Sequence, residues 1–262
     1  MNKKLCLTIF ISLIVSSASY ASCIEGDCIN SKGTKIYSDG SKYVGEFKQN
    51  QMNGFGTMTY IDNSIYVGEF KDDIANGNGT MTYKDGRVYI GEFNNGFIDG
   101  EGTMTYADGS KYVGRFNVQE KFGEFNKREK YRIKLGLKNG YGTMVYADGS
   151  KYVGLFKDGI TNGQGTMTYS DGSEYVGNFI IFDKYKNNIK FGVKHGQGSM
   201  SYINGTKYVG NFEVDLFNGF GFMTFADGSE YTGGFKNGFF HDQGTIIHAD
   251  GSKYVGGFQN GL

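Results

Sequence analysis

Nine short stretches of this chain share one form, Tyr-x-Gly-x-Phe: residues 43–47, 66–70, 89–93, 112–116, 152–156, 175–179, 208–212, 231–235 and 254–258. Six of the eight steps between them are 23 residues long, and the two exceptions are 40 and 33. A fixed short period restricts the fold to a stack of equivalent units, each touching only its neighbours. Such a stack builds a surface more readily than a single reactive cleft.

The unit reads as β structure. In the segment Gly102 to Phe116, two alternating runs flank Asp108-Gly109, and an Asp-Gly pair between such runs is a strong hairpin signal, predicting a type I′ turn. Alternation puts Met104, Tyr106, Tyr112, Gly114 and Phe116 on one face and Thr103, Thr105, Lys111, Val113 and Arg115 on the other. One face is aromatic and the other mostly polar, and Gly114 is expected to leave room for a neighbour's ring. A lone hairpin is marginal in water, so each unit must bury its aromatic face against the next. At two strands per unit and ~4.8 Å per strand, nine units extend roughly 85 Å. The expected fold is all-β, an elongated solenoid-like array of antiparallel β-hairpins in a single twisted sheet.

Glycine is abundant, 43 of 262 residues, and proline is absent. Neither disorder nor a collagen helix fits, because 42 Tyr and Phe supply apolar bulk and no Gly-X-Y triplet runs through the chain. The paired glycines Gly54 and Gly56, Gly77 and Gly79, Gly100 and Gly102, Gly163 and Gly165, and Gly219 and Gly221 read as chain reversals with close backbone approach. A phosphate-cradling loop needs a helix N-terminus after the glycines, and no helical period follows any of them.

Tyr-x-Gly-x-Phe, then Gly-x-Gly, then Tyr-x-Asp-Gly at a 23-residue period resembles the MORN repeat (membrane occupation and recognition nexus), over roughly residues 33–262. The resemblance implies an array of hairpins that serves as a scaffold, an interaction or dimerisation module, or in some members a phospholipid binder. It implies no catalysis. This chain departs from the repeat at Asp242-Gln243-Gly244, Asn204-Gly205, Asn63-Ser64 and Phe225, and Trp never fills the aromatic site. These departures bear on local turns. The last strand, near Leu262, is expected to present an open edge suited to a partner or a second copy.

The N-terminus reads as an export signal over residues 1–21: Lys3 and Lys4, the apolar run Leu5 to Val15, then small residues up to Ala21, where cleavage is expected. An uncleaved anchor is the rival reading. A short segment, 22–32, follows, and the repeat array spans 33–262. Cys23 and Cys28 suggest an oxidising compartment and a small disulfide loop. Alternatively Ala21-Ser22-Cys23 ends a lipobox and Cys23 is acylated, although Tyr20 stands where such boxes usually carry Leu. The expected location is outside the cytoplasm: periplasm, cell surface or medium. Losing two lysines with the signal leaves 25 basic against 27 acidic side chains, which does not suit nucleic-acid binding.

Two inserts interrupt the period, near 117–134 and 180–190, and add 17 and 10 residues. Loops set on a rigid frame often carry binding. The first holds Lys121, Lys127, Arg128, Lys130, Arg132 and Lys134; the second holds Phe182, Lys184, Tyr185, Lys186 and Lys190. Two readings stay open: a basic, aromatic contact site for anionic lipid, glycan or acidic protein, and solvated extensions of the hairpins or a decayed extra unit.

Reaction chemistry is not legible. His195, His241 and His248 have no metal-ligand spacing, no nucleophile elbow occurs, and no cofactor motif is found. The recurring acids, such as Asp108 and Asp148, precede glycine in tight turns, which explains them without calcium. The functional expectation is a non-catalytic exported scaffold for protein interaction or self-association. The alternative is an envelope or membrane-surface binder.

Overall fold

A computed structural model describes residues 21–118, 133–183 and 191–261, with Phe191 described by its backbone alone. The first half comprises β1 (Ser22–Gly26), β2 (Lys32–Ile36), β3 (Lys42–Lys48), β4 (Gln51–Thr59), β5 (Ile65–Lys71), β6 (Ile74–Thr82), β7 (Val88–Asn94), β8 (Phe97–Thr105) and β9 (Lys111–Asn117). The second half comprises β10 (Leu137–Val145), β11 (Lys151–Lys157), β12 (Ile160–Thr168), β13 (Glu174–Phe182), β14 (Phe191–Ser201), β15 (Lys207–Glu213), β16 (Leu216–Thr224), β17 (Glu230–Lys236), β18 (Phe239–Ile247) and β19 (Lys253–Phe258). Each strand pairs antiparallel with the next in sequence, giving one meandering sheet of hairpins.

Two kinds of turn alternate along the sheet. At the Asp-Gly positions the loop has three residues: Tyr106 N donates to Ser110 O at 2.8 Å, Gly109 N donates to Tyr106 O at 3.0 Å, and Asp108 Oδ1 accepts from Ser110 N at 2.9 Å. Only its third residue has positive φ, 88° at Gly109, and Asn63 takes that place at 67°. This corrects the type I′ expectation; it is the three-residue hairpin loop closed by a left-handed residue. The two-residue turns with positive φ at both positions lie at the other end of the hairpins, as at Gln49-Asn50 (51° and 63°), Asp72-Asp73 (49° and 72°) and Val214-Asp215 (47° and 68°).

The Gly-x-Gly segments are not reversals. They run inside the even-numbered strands, where the register slips: Gly45 pairs with Gly56 and Phe47 with Met52, so Glu46 faces three residues, Asn53 to Phe55. The first glycine takes the left-handed backbone of this bulge, φ 96° at Gly54. The second pairs with the glycine of Tyr-x-Gly-x-Phe, and the tyrosine ring lies over both. A Cβ on Gly45 would stand 2.6 Å from the Gly56 Cα and collide with the Tyr43 ring. The space at these glycines is therefore filled by the tyrosine two residues earlier, not by a neighbour's ring. That tyrosine's hydroxyl donates to the carbonyl opposite the bulge, Tyr43 to Glu46 at 3.0 Å and Tyr152 to Leu155 at 2.9 Å. The motif thus joins a ring, the glycine floor beneath it and the carbonyl that its hydroxyl satisfies.

Tyr43, Tyr66, Tyr89, Tyr112, Tyr152, Tyr175, Tyr208 and Tyr231 are fully buried, with Phe47, Phe116 and Met58 beside them in one continuous core. Each tyrosine packs edge-on against its own phenylalanine and that of the next unit: Tyr43 on Phe47 (5.1 Å) and Phe70 (5.0 Å), Tyr66 on Phe70 (5.1 Å) and Phe93 (4.8 Å). Edge-to-face pairs at this spacing contribute roughly 0.5–1.5 kcal/mol each beyond area burial. A ladder of rings therefore couples every unit to its neighbour.

Candidate interaction surfaces

The opposite face carries a second continuous row. Register places Val44, Thr57, Val67, Thr80, Ile90, Thr103 and Val113 side by side, and the row continues through Thr143, Val153, Thr166 and Val176 to Val209 and Val255. Val44, Ile90, Val113, Val176, Val209 and Val255 are exposed. Phe55, Tyr141 and Phe220, the middle residues of three Gly-x-Gly segments, are more than half exposed on the same face. Alternation explains the placement, since every residue between two core positions points outward. The face expected to be mostly polar carries an apolar stripe.

On the ladder side, the tyrosines preceding the three-residue turns form an outer row. A cavity of about 160 Å³ opens between Tyr37, Tyr60 and Tyr83, bounded by Met58, Met81 and Ile133. Burial raises the Tyr60 phenol and pushes that of Tyr83 up to about 12, against a lowering influence of Arg87. Ile133 gets there because the end of the first insert turns back onto an earlier unit: Lys134 N donates to Gly96 O at 2.9 Å and Ile98 N donates to Lys134 O at 2.8 Å.

Of the site residues expected from sequence, Lys121, Lys127, Arg128, Lys130 and Arg132, and Lys184, Tyr185, Lys186 and Lys190, lie outside the described residues. Lys134 Nζ stands 5.8 Å from the Phe97 ring centroid. Phe182 ends β13, which with β14 prolongs its hairpin through Ile180–Val193, Ile181–Gly192 and Phe182–Phe191 pairs. Cys23 and Cys28 are joined by a disulfide across the start of the sheet, with Cα atoms 5.9 Å apart.

Sequence reading missed two lysines. Lys138 and Lys194 pair with Phe116 and Phe179, at the position held by Met52, Ala75 and Ile98 in other units. Lys138 Nζ lies 5.9, 5.7 and 5.5 Å from the centroids of Tyr106, Tyr112 and Phe156, and Lys194 Nζ lies 5.6 and 5.8 Å from Tyr169 and Tyr175. Only the register shows them among the rings. Among the described residues no group of three His, Cys, Asp or Glu side chains is placed to hold a metal ion. His241 Nε2 stands 3.7 Å from Asp242 Oδ1, whose side chain is largely exposed.

An open antiparallel meander of equivalent hairpins, coupled by one aromatic ladder, defines a β-hairpin repeat protein. The chain belongs to the MORN-repeat family: the MORN repeat matches residues 43–65, 66–86, 89–111, 133–151, 152–174, 188–207, 208–230 and 231–253, which is most of its length. No curated protein matches the sequence. Among solved structures it is similar to the TCP domain of SAS-4 (dCPAP) of Drosophila melanogaster in complex with a proline-rich motif of Ana2, at 13% identity over 80% of this chain and 99% of that one, TM-score 0.40. It is also similar to the TCP10 domain of Danio rerio CPAP in complex with a peptide of STIL, at 9% identity over 90% and 93%, TM-score 0.46. Both likenesses are distant.

Proposed function

We propose that this protein is an exported, non-catalytic scaffold that binds another protein along the outward face of its sheet. The observation that carries the reading is the β-branched stripe along the sheet: the ring ladder joins the units on one face, while on the other Ile90, Val113, Val176 and Val209 stay exposed among the described residues. Extended exposed apolar surface on a folded protein is characteristic of interaction sites. Export is supported by the basic, then apolar, N-terminal segment and by the Cys23–Cys28 disulfide, a bond at home in oxidising compartments. The test is proximity labelling and cross-linking in the native cell with the natural chain and with a Val113→Lys, Val176→Lys, Val209→Lys variant. A stoichiometric protein partner that the variant loses, while its circular dichroism is unchanged, is the expected result. A partner retained by the variant moves the contact off this face, and recovery in the cytoplasm contradicts export.

A further inference from the structure

Lys138 and Lys194 are equivalent in the repeat, and they differ in one respect. Lys194 Nζ donates to Tyr169 Oη at 3.3 Å and stands 3.8 Å from Asp215 Oδ1. The two-residue turn that carries Asp215 is held to the same strand, with Asp215 N donating to Lys194 O at 3.0 Å and Asp215 Oδ1 accepting from Lys194 N at 2.9 Å. In the other unit the corresponding turn residue is Gly159, whose N donates to Lys138 O at 2.9 Å and which has no side chain to offer. Among the described residues, Lys138 Nζ has neither a hydrogen bond nor an ion pair.

An ammonium group has three donors, and ring faces satisfy none of them as an oxygen would. Burial holds the Lys138 ammonium below the usual lysine range. The side chain is only half-buried, so an incoming group can reach it. We propose that Lys138, framed by Tyr106, Tyr112 and Phe156, binds the carboxylate of an aspartate or glutamate in a protein segment, in the place that Asp215 fills beside Lys194. This site is on the ladder side of the sheet and goes beyond the outward-face contact.

Gly159→Asp supplies the missing carboxylate from within. The position accepts it: Asp215 and Asp73 sit there with φ of 68° and 72°, and a Cβ on Gly159 would have Leu137 Cδ2, at 4.0 Å, as its nearest neighbour. The full chain is titrated with acetylated, amidated hexaglutamate and hexaglutamine peptides, with amide NMR shifts as readout. Hexaglutamate is expected to bind and to shift the Gly159 amide, and hexaglutamine is not. Lys138→Met and Gly159→Asp should each weaken hexaglutamate binding about tenfold, the size of one charge-assisted hydrogen bond. Lys151→Met removes the same charge from an exposed position and should leave it unchanged. Equal affinity in the natural chain and both variants, no hexaglutamate binding, or an equal affinity for acetate alone overturns the proposal. None of these outcomes touches the outward stripe, whose role is tested by its own variants.

Discussion

Tyr112 meets Phe156 edge-on, with ring centroids 5.0 Å apart and planes at 81°, although the first insert lies between them in the chain. Tyr43 and Phe70, joined by an uninterrupted unit, have 5.0 Å and 80°. The second insert is as quiet: Tyr175 and Phe212 stand at 4.9 Å and 77°, against 4.8 Å and 77° for Tyr66 and Phe93. The ring ladder therefore keeps the same geometry on either side of both inserts.

Replacing residues 119–132 with a Gly-Ser linker of equal length should therefore leave the array intact. The expected change in Tm is within about 2–4 °C, corresponding to under ~1 kcal/mol. Thermal unfolding followed by circular dichroism checks this, and a loss of cooperative unfolding would show that the insert carries structure the ladder needs.

Ladder position decides what a tyrosine contributes. Tyr152 is fully buried between Phe156 and Phe179, each 5.1 Å away, whereas Tyr254 is 48% exposed and packs on Phe258 at 5.2 Å. Tyr152→Ala is expected to destabilise by about 3–5 kcal/mol, and Tyr254→Ala by under about 2 kcal/mol. Urea denaturation of the two variants gives the comparison directly.

Much of this was legible in the sequence. The 23-residue period, the hairpin unit and the aromatic face follow from Tyr112, Gly114 and Phe116 and their alternation. Turn geometry was not, because Asp-Gly suits both a type I′ turn and a three-residue loop, and the choice depends on the register of the flanking strands. The genuine two-residue turns hold pairs such as Gln49-Asn50 and Val214-Asp215, which announce little. Gly54 and Gly56 look alike on paper, yet one bends a bulge and the other lies under a ring. Lys138 gives no signal of its own, because its setting depends on Phe116 standing opposite and on Tyr106 from the preceding hairpin.

Val214 is a β-branched residue at φ 47°, a backbone region such side chains avoid. Asparagine adopts that region readily, as Asn95 does at 49° in the equivalent turn. Val214→Asn is expected to stabilise by about 1 kcal/mol, raising Tm by ~2–4 °C. An unchanged or lower Tm would show that the valine side chain compensates for its backbone.

Burial keeps the ladder phenols neutral. The Tyr208 hydroxyl is pushed from its ordinary value of 10.0 up to about 12 by burial. A phenol whose folded pKa lies above its unfolded one stabilises the fold fully below the unfolded pKa, and that stability is lost as pH rises from about 10 to about 12. Absorbance titration at alkaline pH should show late tyrosine ionisation coinciding with loss of the β signal. Most tyrosines ionising near 10 with the fold intact would contradict this.

The most direct measurement of coupling between units is a double-mutant cycle on Tyr112 and Phe156, each changed to Leu singly and together, with stability read by urea unfolding. Rings that lock one hairpin to the next across the insert predict an interaction energy of about 0.5–1.5 kcal/mol. Additivity within about 0.3 kcal/mol would mean that the contact is incidental and that something else holds the array together.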